Sequence, residues 1–328
     1  MNKPAAAAPA GDYKDRRAGL IGFGILLVAA GCVCALFVPL MVVGQAMAAQ
    51  TTGTALDIRM IIPSVMMYAG LAVAFVWVGI GSIRTRRWAR ALALILAWLW
   101  LVTGIFTLGF MAVLLPDLLS DLPSGGQPLP VAMRSAVMIV LLAIMGAVLV
   151  VLPGLLVLFY RSRHVKATCE ARDPLPGWTE ACPLPVLGLS LSLGFGAVSM
   201  LPSLVTYHSV VPWFGRLLSG APGAVVILFM MALWSYCAWA TYRLQPAGWW
   251  LSVVSSALMM LSAVVTLLRV DPIEMYRLMG FPEQQIDQMR QVGFLVQGRG
   301  LAVLTALFSL AFLGYLLSVK RHFHAPGE

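Results

Sequence analysis

The sequence predicts an all-α integral membrane protein with eight transmembrane helices in two parallel four-helix repeats, N-in and C-in. Three observations predict it. Apolar windows free of Asp, Glu, Lys and Arg recur eight times along 328 residues. Lys and Arg concentrate in alternate connections. Short motifs from the first half return in the same order in the second.

The windows come first. The chain is 60% hydrophobic and 11% charged, with a mean hydropathy of +0.90. A soluble domain carries about 25% charged residues, so this composition cannot clothe a water-soluble globule. A helix rising ~1.5 Å per residue needs ~20 apolar residues to cross ~30 Å of hydrocarbon, and helices satisfy their own backbone hydrogen bonds there. Such windows predict spans at 19–43, 61–83, 90–114, 136–160, 185–207, 222–242, 248–269 and 299–319. The sequence "AMAAQ" at 46–50 has the look of a signal-peptide cleavage site. The apolar run before it, however, exceeds the ~7–15 residues of a signal peptide's core, so the first span is kept as a helix.

Orientation follows from charge. With the N-terminus inside, 15 of the 22 Lys and Arg fall on the cytoplasmic side, Arg84, Arg86, Arg87 and Arg90 among them. Basic residues favour that side of short loops. The formal net charge of +9 is thus concentrated on one face. The implied partner is a bilayer with anionic headgroups on the cytoplasmic side, together with a membrane-protein partner. No groove-reading motif or basic array with interleaved aromatics is present, so nucleic acid is not expected. The expected location is a bacterial-type inner (plasma) membrane.

The repeats are read from four matches. Gly31 precedes Pro39 by eight residues, and Gly194 precedes Pro202 by eight, an offset of 163 between copies. "SIRTRRWARAL" (82–92) resembles "TYRLQPAGWWL" (241–251), each with Arg and then Trp, and Trp88 and Trp249 are 161 apart. "YRSRH" (160–164) resembles "SVKRH" (318–322), with His164 and His322 158 apart. "LLPDLLSDL" resembles "RVDPIEMYRL", with Asp117 and Asp271 154 apart. An even number of spans per copy gives parallel repeats about the membrane normal. The expected organisation is a disordered cytoplasmic tail (1–18), a first repeat (19–160), a cytoplasmic connector (161–184), a second repeat (185–319) with extracytoplasmic interfacial helices over 271–293, and a cytoplasmic tail (320–328).

Lipid offers apolar helices no hydrophobic reason to associate, so small residues are expected at their contacts. Gly188, Ser192 and Gly196, Gly70 with Ala74, Ser252 with Ser256, and Ser262 with Thr266 are the expected inward faces. Trp88, Trp98, Trp213, Trp249 and Trp250 are expected near span ends, at headgroup level. Pro39, Pro153 and Pro202 lie inside spans, where each removes a helical hydrogen bond.

The chemistry is sparse. No Asp, Glu, Lys or Arg stands at the centre of a span, which weakens the case for a proton- or ion-coupled pump. A small-solute site would use neutral groups, and an inter-repeat cavity would involve Pro39, Pro202, Tyr207, Tyr68 and Thr103. The carboxylates Asp117, Asp121, Asp271 and Glu274 share the outer face and are a candidate acid–base or cation pair. Asp271-Pro272 also fits a helix N-cap followed by Pro, which is the plainer reading. His164, Cys169, Cys182 and His322 would supply the four ligands a zinc ion needs, but no C-x₂-C spacing accompanies them. The cytosolic side argues against a disulfide between Cys169 and Cys182, and both read as packed thiols in a folded loop. No P-loop, Rossmann glycine pattern, Ser-His-Asp order or zinc-protease helix is present. No cofactor is expected. The sequence reads as a membrane scaffold or accessory subunit. A transporter for a small neutral or amphiphilic solute is the alternative, and a lipid-modifying enzyme is a weaker one.

Overall fold

The computed structural model describes residues 13–52, 61–120, 131–283, 286–287 and 298–323. Eight helices among the described residues are long and apolar enough to cross a membrane, as the sequence predicts. In chain order they begin with α1 (Arg17–Thr52), α2 (Ile62–Ile83) and α3 (Arg87–Ser120). The fourth span is α4 (Val131–Gly146), a π turn (Ala147–Val151) and α5 (Leu152–Arg161). A short helix α6 (Arg163–Arg172) and a 3₁₀ turn (Trp178–Glu180) follow, then α7 (Leu184–Ser199) and α8 (Leu201–Val205). A two-stranded hairpin, β1 (Val211–Trp213) and β2 (Arg216–Leu218), precedes α9 (Gly220–Tyr242) and α10 (Pro246–Arg269). The chain continues through α11 (Pro272–Leu278) to α12 (Gly298–Val319) and a 3₁₀ turn (Lys320–His322).

The chain divides into two compact units, Met1–Ile105 with Met145–Leu184, and Phe106–Ile144 with Pro185–Glu328. In the first unit α1 packs on α2 through glycines. A β-carbon on Gly24 would stand 2.9 Å from the Gly79 carbonyl oxygen, and one on Gly79 would stand 2.7 Å from the Gly24 carbonyl oxygen. Gly31, two turns further on, lies against Val76 and Ala72. This is the small-residue logic of helix contact in lipid, carried by different residues from those expected. Gly70 is exposed with nothing within 4 Å of its missing β-carbon, so the Gly70–Ala74 face is not the packed one.

A buried hydroxyl chain ties three helices of this unit. Ser82 Oγ donates to the Leu20 carbonyl (3.0 Å) and lies 2.7 Å from Tyr160 Oη. A carbonyl only accepts and a serine has one hydroxyl proton, so Tyr160 donates to Ser82. Tyr160 is wholly buried. Leaving such a group unpaired would cost about 1–3 kcal/mol, so the chain fixes α5 against α2 and α1.

In the second unit the serine faces of α10 point inward as expected: Ser252, Ser256, Ser262 and Thr266 are all buried. Gly188 is buried, while Ser192 and Gly196 are half-buried. Ser190 donates to the Ala238 carbonyl at 2.7 Å, joining α7 to α9. Trp249 is buried and donates from Nε1 to the Leu316 carbonyl at 2.8 Å, joining α10 to α12. It is a packing residue here, not an exposed headgroup anchor. Trp98 lies within α3 rather than at its end, and is exposed.

The three prolines act differently. α1 runs unbroken through Pro39 to Thr52. The expected fifth span is interrupted: α7 ends at Ser199, and α8 restarts at Leu201 with Pro202 in its first turn. Pro tolerates that position because its missing N–H would have no helical partner there. Pro153 follows the π turn, in which Leu152 N–H reaches back five residues to the Ala147 carbonyl.

Candidate functional site

The 161–184 connector is where polar chemistry gathers. The sequence reads it as a loop, but most of its first half is helix α6. Ser162 caps that helix, its side chain accepting from His164 N. Val165, Thr168 and Cys169 are buried, so one side of this otherwise polar helix is packed. The segment 14–16 is fastened to it. Arg16 N donates to Thr168 Oγ1 (3.1 Å), Lys14 N donates to His164 Nδ1 (3.4 Å), and Arg172 pairs with Asp15 (3.2 Å). Residues 14–16, expected to be part of a disordered tail, are therefore held by backbone and side-chain bonds. Arg17 N–H and the Arg172 guanidinium hold the Asp15 carboxyl below its ordinary range.

The connector's acids meet the turn between α2 and α3. Arg87 Nε pairs with Glu180 (2.9 Å), its Nη2 with Glu170 (3.5 Å), and its Nη1 donates to the Pro174 carbonyl (3.2 Å). Asp173 accepts from Arg87 N (3.2 Å) and from Arg86 Nη1 (3.4 Å). A carboxylate thus sits at the N-terminus of α3, where the helix dipole favours it. The Arg87 side chain is only 16% exposed, so this is a partly desolvated network rather than a solvated surface pair. Arg90 adds a bond from Nη1 to the Tyr160 carbonyl (3.3 Å). The basic turn "RTRRWAR" is therefore a receptor for the connector.

The proposed metal ligands are placed as follows. His164 accepts from Lys14 N. Cys169 and Cys182 are buried and free of disulfide. Burial pushes the Cys169 thiol up to about 11, and raises that of Cys182. His322 belongs to the second unit, and its Nε2 is buried without a partner among the described residues. Among the described residues no group of three or more His, Cys, Asp or Glu is arranged to hold a metal ion.

The candidate cavity residues divide between the units. Pro39 is exposed on α1, Tyr68 packs its ring at 5.4 Å from Phe37, and Thr103 is exposed on α3. In the second unit Pro202 is buried, and Tyr207 stacks on Phe281 at 6.1 Å. Of the carboxylates expected on the outer face, Asp271 does what its sequence predicts and caps α11 by accepting from Ile273 N at 3.0 Å. Glu274 lies in the first turn of α11, and the chain turns out at Gly280 with φ +86°. The Asp117 side chain, Asp121 and most of the expected helix after 281 lie outside the described residues.

One element has no forerunner in the sequence reading. In the hairpin Trp213 pairs with Arg216, leaving Phe214 and Gly215 as a two-residue turn with φ of +44° and +90°. Positive φ at both central positions is the type I′ geometry that suits strand twist. The turn's two N–H groups are held by α10: Phe214 N donates to Ser262 Oγ (3.0 Å), and Gly215 N to Thr266 Oγ1 (2.9 Å). The "FG" between "VPW" and "RLL" was the available signal.

Comparison of the chain with protein-family models, with curated proteins and with solved structures finds no match.

Proposed function

We propose that this multi-pass membrane protein is a non-catalytic scaffold or accessory subunit of a bacterial-type inner membrane, with both termini cytoplasmic and two copies of a four-helix repeat. The observation that carries the functional reading is where the polar side chains go. Ser82, Tyr160, Ser190, Trp249, Ser262 and Thr266 all form bonds that join one element of the bundle to another. The ionic groups of the connector likewise fasten one segment to another, and the product is a folded polar face bearing α6.

The duplication is supported by the two basic turns, which share a backbone pattern at an offset of 159. Arg84 N bonds to Ile80 and Ser82 carbonyls; Arg243 N bonds to Trp239 and Thr241 carbonyls. Thr85 N→Ser82 O and Arg86 N→Gly81 O repeat as Leu244 N→Thr241 O and Gln245 N→Ala240 O. Thr85 and Leu244 both adopt positive φ, +54° and +58°. This register aligns Arg90, rather than Trp88, with Trp249, and both side chains donate to a carbonyl of the following span.

A stoichiometric second polypeptide after gentle extraction of the full chain is the expected result for an accessory subunit. A homogeneous species of this 35.3 kDa chain with lipid alone would overturn it. Orientation is tested separately with Leu175→Cys, since Leu175 is 79% exposed on the connector and Cys169 is buried. Its labelling by an impermeant maleimide in intact cells would refute the cytoplasmic assignment. The transporter reading draws on the π turn in the fourth span, because such turns recur at functional sites. Solute-specific uptake into proteoliposomes would decide for it.

A further inference from the structure

We infer that the end of the second unit bearing Arg243 and Arg321 binds one anionic phospholipid by its headgroup. Arg243 closes α9 and lies with its guanidinium 5.9 Å from the Trp239 ring. Lys320 follows α12 directly, and its ammonium is 5.6 Å from the rings of both Trp249 and Trp250. Those two rings meet edge-on at 4.7 Å, and Trp249 is locked by its bond to Leu316. Arg321 is exposed in the next turn.

The corresponding end of the first unit shows what is different here. There Arg86 and Arg87 are engaged by Asp173, Glu170 and Glu180. At an offset of 159 their places are taken by Gln245 and Pro246. The acidic side chains described between Pro185 and Phe323 are Asp271, Glu274, Glu283 and Asp287, all beyond the other end of α10. A 24-residue helix is about 36 Å long, so these acids stand on the opposite side of a membrane span from Arg243.

A phospholipid fits this end better than a soluble anion. Trp239 is 51% exposed and Tyr236, one turn deeper in α9, is 46% exposed, their rings 6.0 Å apart. They extend the basic cluster down a membrane-crossing helix with an apolar track for the glycerol and acyl region. Arg offers a planar fork to the phosphodiester, and indole rings suit the headgroup boundary. The inference rests on the reading of α9, α10 and α12 as spans and is independent of which side is cytoplasmic.

The test uses the full chain in detergent, with native mass spectrometry of retained phosphatidylglycerol against phosphatidylcholine of the same acyl chains. Phosphatidylglycerol is expected to be retained preferentially, one per chain. Arg243→Gln with Arg321→Gln is expected to lower retention about 30-fold, from roughly one surface-charge contribution per arginine. Arg243→Lys with Arg321→Lys keeps the charge and is expected to retain the lipid, while Arg216→Gln at the hairpin leaves retention unchanged. Equal retention of phosphatidylcholine, unchanged retention in the glutamine pair, loss in the lysine pair as complete as in the glutamine pair, or displacement of the lipid by an equal concentration of inorganic phosphate would each overturn the proposal.

Discussion

The carbonyl oxygen of Leu149 lies against Gly104 so closely that no β-carbon fits between them. Pro153 stands four residues after Leu149 and has no N–H, so that carbonyl lacks its ordinary α-helical donor. The π turn Ala147–Val151 and the bare surface at Gly104 accommodate each other. Gly104→Ala is therefore expected to cost about 1–3 kcal/mol through overpacking. Thermal unfolding of the full chain in detergent reads this as a lower Tm. Gly109→Ala on the same helix is the control, since its β-carbon would meet nothing within 4 Å. Equal Tm values for the two variants would defeat the prediction.

The matched turns give a sharper test. A β-carbon on Gly81 would stand 2.6 Å from that of Ala89, and one on Gly248 would stand 2.5 Å from that of Ala240. At the offset of 159, Gly81 corresponds to Ala240 and Ala89 to Gly248. Each turn thus needs one glycine in the pair, on opposite helices. Gly248→Ala alone is expected to destabilise by about 1–3 kcal/mol. Adding Ala240→Gly is expected to recover at least half of the lost Tm, despite the weaker helix propensity of glycine. Failure of this rescue would show that the clash is not the pairwise one described.

These contacts mark the limit of what the sequence made legible. The eight spans were readable because apolar length is a local property with a fixed physical requirement. The inward faces at Ser252, Ser262 and Thr266 were readable because hydroxyls in lipid seek partners, and each of the three bonds a backbone carbonyl. Gly70 misled because a glycine does not announce which neighbour approaches it. Arg87 and Glu180 are 93 positions apart, so their pairing left no local trace. The same holds for Arg16 and Thr168, 152 apart. Helix α6 is short and polar, and its Ser162 cap is a weak signal beside the apolar runs around it.

The hairpin depends on two hydroxyls. Ser262 Oγ accepts from Phe214 N and donates to the Pro212 carbonyl at 3.0 Å, while Thr266 accepts from Gly215 N. Ser262 lies about 10 Å along the helix from Arg269, so the hairpin runs beside the last two turns of α10. Ser262→Ala leaves a part-buried donor and acceptor without partners, at about 1 kcal/mol. Thr266→Val is expected to loosen the same turn, and Thr266→Ser to preserve it. Amide hydrogen exchange at 211–218 should accelerate in the first two variants and hold in the third; uniform protection would argue against hydroxyl anchoring.

The connector should respond to both charge and alkali. Arg87→Ala removes the group that meets Glu170, Glu180 and Pro174 together, so maleimide should reach Cys169 at least several-fold faster. Lys at the same position cannot reproduce the forked contacts and should restore little. The thiol of Cys169 rises from its ordinary 9.0 to about 11, chiefly through burial, with Arg90 opposing. The folded state therefore holds the proton over a pH range in which the unfolded chain has lost it. Stability from this group is intact below pH 9.0 and is lost as pH rises through about 11. Unfolding followed across that window should show a downward slope that Cys169→Ala flattens. An unchanged slope in the variant would assign the alkaline loss to another group.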